Sequence, residues 1–137
     1  MVNCASPAYL ARHGTPTTLA DLAQHYVVHY SPRLGADSPS FEYPDDQGYQ
    51  ELPMKCLVTV NATDAYHAAA LAGLGIIQVP RSGARQSLAS GALLEILPEL
   101  TCKPMPVSLV QVGGRQARKP VRVVLTWLAD ILASYVD

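Results

Sequence analysis

The sequence predicts an α/β fold with a largely parallel or mixed sheet, and three observations carry that expectation. Short apolar stretches at 26–30, 56–60, 76–79 and 93–97 read as strands. The stretches between several of them open on capping residues and stop at glycine, as helices do. The run NATDAYHAAALAGLGIIQVP at 61–80 then joins a turn, a small-residue helix, a Gly-Leu-Gly stop and a buried strand. Helices alternating with short apolar strands place helices on the faces of one sheet.

The elements follow in order. After the apolar 2–5 stretch, Ser6-Pro7 offers a capping hydroxyl and a proline at the first helical position, predicting a helix from Pro7 to His13 that stops at Gly14. Thr18, with Asp21 three residues on, has the spacing of a capping pair and predicts a second helix. Tyr26 to Tyr30 is β-branched and aromatic, hence a strand. Ser31 to Met54 carries Pro32, Pro39, Pro44 and Pro53 and reads as irregular, with Phe41 to Tyr43 as a brief edge strand. Cys56 to Val60 is a strand, Thr63 to Leu74 an alanine-rich helix, Ile76 to Val79 a strand and Ser82 to Ser90 a short helix. Leu93 to Leu97 and Val107 to Val112 read as strands, and a helix runs from about Pro120 to Tyr135. That last helix has two apolar stripes, Val121, Val124, Leu125, Leu128, Leu132 and Tyr135 on one side and Val123, Trp127 and Ile131 on another. A helix covering a sheet needs one such stripe, so this one is either sandwiched or matched to a partner surface.

Composition narrows the function. A chain of 137 residues is one domain's worth, and 49% apolar against 15% charged residues is globular. A net charge of −1 gives no footprint for gripping nucleic acid. Three scattered cysteines outside any CxxC pattern suit buried thiols in a reduced, cytoplasmic protein. No secretion signal is legible at the amino end, and no apolar run approaches the ~20 residues of a membrane helix.

Chemistry-bearing residues are few. The histidines at 13, 25, 29 and 67 show no metal-ligand spacing, so no metal or other cofactor is expected, and only His29 stands near the expected cleft. Ser6 lacks the strained glycine-flanked elbow of a catalytic serine, so no catalytic residue is assigned. Gly73-Leu-Gly75 is no phosphate loop, having neither its spacing nor its lysine. The basic cluster Arg115, Arg118, Lys119 and Arg122 reads as a solvated connection before the last helix. Thr63 and Asp64 open the alanine-rich helix, where amide groups either hold a polar ligand or are capped by Asn61 or Thr63. Asp64 would oppose a bare anion there. Tyr30, Ser31 and Pro32, like Gln78 ahead of Pro80, close strands at the carboxyl ends where open-sheet clefts lie.

Five segments in order then resemble one family. CASPAYLARHGTP at 4–16, LADLAQH at 19–25, HYSP at 29–32, VNATDAYHAAALAGLGIIQVP at 60–80 and LASGALLEILPE at 88–99 resemble the effector-binding domain of LysR-type transcriptional regulators. The resemblance implies a type 2 periplasmic-binding-protein-like fold, a mixed sheet flanked by helices in which a small-molecule effector sits between two subdomains. It implies that 1–106 is the distal subdomain, with 107–137 the returning hinge strand and carboxyl-terminal helix of the proximal one. A homodimer or homo-oligomer is implied, with DNA bound only through a winged helix-turn-helix that would precede Met1. The chain is thus expected to be a truncated, non-enzymatic sensor domain. The effector-contacting set is Tyr30, Ser31, Pro32, Asn61, Ala62, Thr63, Asp64 and Gln78, although the family often has an acidic residue where Ala62 stands. Three rivals remain: a solute receptor of the same fold, a small α/β enzyme using His29 or Asp64, and a fragment that heterodimerises with intact regulators.

Overall fold

Alternation along the strands decides where each element packs. The computed structural model describes residues 1–33, 35, 37–111 and 119–133, in two compact units, Met1–Pro104 and Met105–Asp137. In the first unit the order is β1 (Val2–Ala5), α1 (Pro7–His13), a 3-10 turn (Ala20–Gln24), β2 (Tyr26–Tyr30), β3 (Ser40–Asp45), β4 (Gly48–Pro53) and β5 (Lys55–Val60). Then come α2 (Thr63–Leu71), β6 (Ile77–Val79), α3 (Arg81–Ala89), β7 (Leu94–Glu95) and a second 3-10 turn (Pro98–Leu100).

Strands β6, β1 and β7 pair antiparallel in that order, while β2 and β5 pair in parallel. A parallel bridge between Val27 and Ile76 joins the two sheets, with Val28 N–H donating to Ile76 O at 3.0 Å and Ile76 N–H to Tyr26 O at 2.9 Å. The resulting layer reads β5-β2-β6-β1-β7, with β5, β2 and β6 pointing the same way. Gly75 makes this stitching possible. A β-carbon there would stand 2.8 Å from Tyr26 O, Val27 C and Val28 N, so only glycine lets the backbones meet.

Consecutive residues bury on opposite faces, as a pleated strand requires. Val28, Ile77 and Val79 pack with Ala69 and Ala70 of α2 and Ala84 of α3. Val27 and Ile76 pack on the other side with Tyr9 and Leu10 of α1, Leu22 and Phe41. The alanines of α2 give it a flush seat rather than a bulky stripe.

Several expectations needed correction. The proline-rich stretch is irregular only ahead of Ser40: the edge strand expected at Phe41 to Tyr43 lies within β3, and β3 and β4 form an unexpected hairpin in full register from Ser40↔Pro53 to Asp45↔Gly48. Its turn is set by Asp45, whose Oδ1 accepts from Gln47 N–H at 2.8 Å, and by Gly48 at φ 126°. Prolines are tolerated because this two-stranded ribbon has free edges and β4 is largely exposed. The Thr18–Asp21 pairing forms, with Asp21 Oδ2 accepting from Thr17 and Thr18 N–H at 2.8 Å each, but it opens a 3-10 turn rather than an α-helix. Strand β7 spans two residues, not five, because Leu97 turns into the left-handed region at φ 45°, ψ 57°. A leucine there costs about 1–2 kcal/mol.

In the second unit, 105–111 has no regular secondary structure. The hinge strand expected at Val107 to Val112 is therefore absent over 107–111, and Val112 lies outside the described residues. Helix α4 covers Lys119–Ala133, and the expected end at Tyr135 lies outside the described residues. Of the first expected stripe Leu125, Leu128 and Leu132 are half-buried, Val121 and Val124 are exposed and Tyr135 lies outside the described residues; of the second, Val123 is 62% and Trp127 59% exposed. No helix is long and apolar enough to cross a membrane among the described residues.

Candidate functional site

The carboxyl ends of β2, β5 and β6 share one rim of the layer. Tyr30 pairs with Val60 in the parallel register, and Ser31 N–H donates to Val60 O at 2.9 Å. The Tyr30–Pro32 turn and the Asn61–Asp64 turn therefore leave the sheet side by side. One strand over, β6 leads through Pro80 into α3, so two helix amino termini open on this rim.

Neither start carries a side-chain cap. The N-cap of α2 is Ala62 (φ −128°, ψ 137°), and the N-cap of α3 is Pro80; no side chain bonds to the first-turn amides of either. The alternative in which Asn61 or Thr63 caps α2 is thereby excluded. Residues 61–65 are all exposed, which leaves the amide groups of the first turn facing solvent with the positive end of the helix dipole. Asp64 brings a carboxylate to the same turn. At α3, Arg81 forms an ion pair with Glu95.

A phenol pair forms one side of the rim. Tyr30, 41% exposed, meets Tyr66 edge-on with ring centroids 5.7 Å apart. Burial pushes the Tyr66 hydroxyl up to about 12, against the opposing pull of its hydrogen bond from Gln78 N–H at 3.1 Å. It stays a neutral acceptor. Tyr66 was not singled out from the sequence, since one tyrosine a turn into a helix resembles any core residue. His29 Nε2 and His67 Nε2 are buried with no hydrogen-bond partner among the described residues.

These features match a known family. A family model described as the LysR substrate binding domain matches residues 1–133. The chain belongs to the LysR substrate-binding domain family.

Among its relatives is the uncharacterized HTH-type transcriptional regulator YhjC of Escherichia coli K12, 42% identical over the whole chain, which spans 46% of that protein. The regulatory domain of CrgA, a LysR-type transcriptional regulator from Neisseria meningitidis, is 26% identical with a TM-score of 0.76, over 96% of this chain and 63% of that one. The AphB regulatory domain of Vibrio vulnificus shares the fold at TM-score 0.72 and 23% identity, over 95% and 63% of the two chains. The chain thus spans about half the length of YhjC. The fold is that of a LysR regulatory domain, α/β and periplasmic-binding-protein-like.

Within this LysR domain the expected site residues divide. Tyr30, Pro32, Asn61, Ala62, Thr63 and Asp64 lie exposed along the rim. Ser31 is buried, and its hydroxyl donates to Arg33 O at 2.7 Å and lies 3.2 Å from an Asp37 carboxylate oxygen, so it closes the turn. Gln78 is committed as well: its Nε2 donates to Asn3 Oδ1 and Glu42 O at 2.8 Å each, and its Oε1 accepts from Glu42 N–H at 2.9 Å.

The opposite rim is closed. Ser6 Oγ accepts from Tyr9 N–H at 3.4 Å, a cap rather than a nucleophile. The Tyr9 hydroxyl accepts from Tyr26 N–H at 2.8 Å and lies 3.1 Å from His25 Nδ1. Burial lowers the His25 pKa, and His13 nearby lowers it further against the pull of Asp21. Burial pushes the Cys4 thiol up to about 12, which makes it a poor nucleophile. Among the described residues no cluster of His, Cys, Asp and Glu could hold a metal ion.

Proposed function

We propose that this chain is the ligand-sensing part of a LysR-type transcriptional regulator, binding a small-molecule effector at the rim lined by Tyr30, Pro32 and Asn61–Asp64. One observation carries the reading: α2 begins with exposed, uncapped amides beside the Tyr30–Pro32 turn. Such a helix start suits a polar group on a ligand, and the Tyr30–Tyr66 edge suits its apolar part. Asp64 disfavours a bare anion and favours a ligand that also carries hydroxyl or amino groups. Ser31 and Gln78 serve the site as positioning residues. Following the family's pattern, 1–106 forms the distal wall of a cleft between two subdomains and 107–137 the return segment. The regulator works without enzymatic chemistry, in the cytoplasm, as a homodimer or homo-oligomer that reaches DNA through a separate domain. The effector shifts the subdomain arrangement only by its differential affinity, typically about 1–3 kcal/mol of coupling.

The test is an amide-resolved NMR titration with benzoate, succinate, glutamate and glucose as probes. Binding is expected to move the Thr63, Asp64 and Ala65 amides, and Thr63→Pro, which deletes a first-turn donor at a position that tolerates proline, is expected to abolish it. Saturable shifts confined to residues away from both turns, or none with any probe, would overturn the reading. A second reading, in which the chain heterodimerises with intact regulators, is favoured by the exposed Val123 and Trp127 on α4. Co-sedimentation with a full-length LysR regulator distinguishes it.

A further inference from the structure

Four segments far apart in sequence meet on a pair of amide side chains, Asn3 and Gln78. Asn3 is fully buried and stands opposite Gln78 in the β1–β6 register. Its Nδ2 donates to the carbonyls of Leu97 and Leu100 at 3.0 Å each, and its Oδ1 accepts from Gln78 Nε2 at 2.8 Å. Its main-chain oxygen accepts from Ile96 N–H at 3.0 Å. Gln78 uses its remaining amide groups on Glu42 of β3 and its main-chain N–H on Tyr66. These partners fix both amide orientations, since each Nδ2 or Nε2 faces only oxygen atoms.

A buried network with its amide groups satisfied is stiff, because breaking one bond strands a donor or acceptor away from water. One end of this network is Tyr66, whose ring touches Tyr30 at the rim. The other end is Leu97, the one positive-φ residue other than glycine among the described residues. Asn3 holds the Leu97 carbonyl in that left-handed setting. Leu97 leads directly into 98–104, where the first unit ends.

We propose that Tyr66, Gln78 and Asn3 are positioning residues that link the amino end of α2 to Leu97, so that displacement at the rim is passed to the segment leaving the first unit. The role as a signal path rests on the effector reading above; the linkage itself does not. Hydrogen exchange by mass spectrometry on the full 137-residue chain without ligand tests the linkage alone. Tyr66→Phe removes only a hydroxyl, and is expected to speed exchange of the 97–104 amides about 5-fold while those of α1 keep their wild-type rates. Leu97→Gly relieves the strained setting, and in that background the Tyr66→Phe effect on 97–104 is expected to vanish. If Tyr66→Phe changes exchange only within 62–80, the linkage is wrong, whatever the NMR titration shows. If exchange spreads as expected but no probe binds the rim, the linkage stands and the effector reading falls.

Discussion

The two rims of the sheet layer differ in how they treat helix beginnings. At the rim where β1 ends, Ser6 caps α1, and Asp21 closes the turn before β2 with three hydrogen bonds from Thr17 and Thr18. At the rim where β2, β5 and β6 end, α2 and α3 start on Ala62 and Pro80, which offer no cap. A helix whose first amides are satisfied internally contributes stability. One whose amides are left open gives up that contribution and keeps donors available. The difference separates a rim whose helix start is satisfied internally from one whose helix starts are left open.

The comparison breaks most visibly at Gly75, beneath the closed rim. Gly75→Ala is expected to cost about 3 kcal/mol or more, since its methyl would meet main-chain atoms of β2, and chemical denaturation would show the loss. If stability hardly changes, the stitching of the two sheets is looser than described. Ser6→Ala comes next, with a loss of about 0.5–1 kcal/mol, near the low end for a cap because the bond is 3.4 Å long. Ala62→Ser is the reverse experiment. Its extended backbone suits an N-cap, so the new hydroxyl is expected to add about 0.5–1 kcal/mol while weakening binding of any probe that shifts Thr63. Stabilisation without loss of binding would place the ligand elsewhere.

The smallest effect is set by pH. Because the folded-state pKa of His25 lies below its ordinary 6.5, the folded protein binds fewer protons than the unfolded chain in this range. Its contribution is therefore complete above pH 6.5 and declines as pH falls toward the lowered value. Asp21, held near 2 by the Thr17 and Thr18 amides, adds a second loss between pH 3.8 and about 2. Melting temperature followed downward from pH 7.5 should show both steps, and His25→Asn should flatten the first.

Much of this was legible in the sequence, because local signals and tertiary packing agree at most elements. Ser6-Pro7 names its own helix start, and the Thr18–Asp21 spacing names its pairing though not the 3-10 turn that follows. The β3–β4 hairpin was missed because its prolines lie on a ribbon with open edges, where the rule against strand proline relaxes. Residues 107–111 look like a strand by composition, yet they take no regular secondary structure, because composition alone does not supply a neighbouring strand. At the site, the rim residues were readable from strand ends and a turn. The commitments of Ser31 and Gln78 were not, since they depend on Asp37, Asn3 and Glu42 arriving from elsewhere in the chain.

Trp127, the chain's single tryptophan, lies more than half exposed on α4, while six of the seven tyrosines belong to the first unit. The molecule thus carries two separable intrinsic fluorophores. Selective excitation of the indole should give the red-shifted emission of a hydrated ring, and any surface that settles over α4 would announce itself as a blue shift, with no label attached.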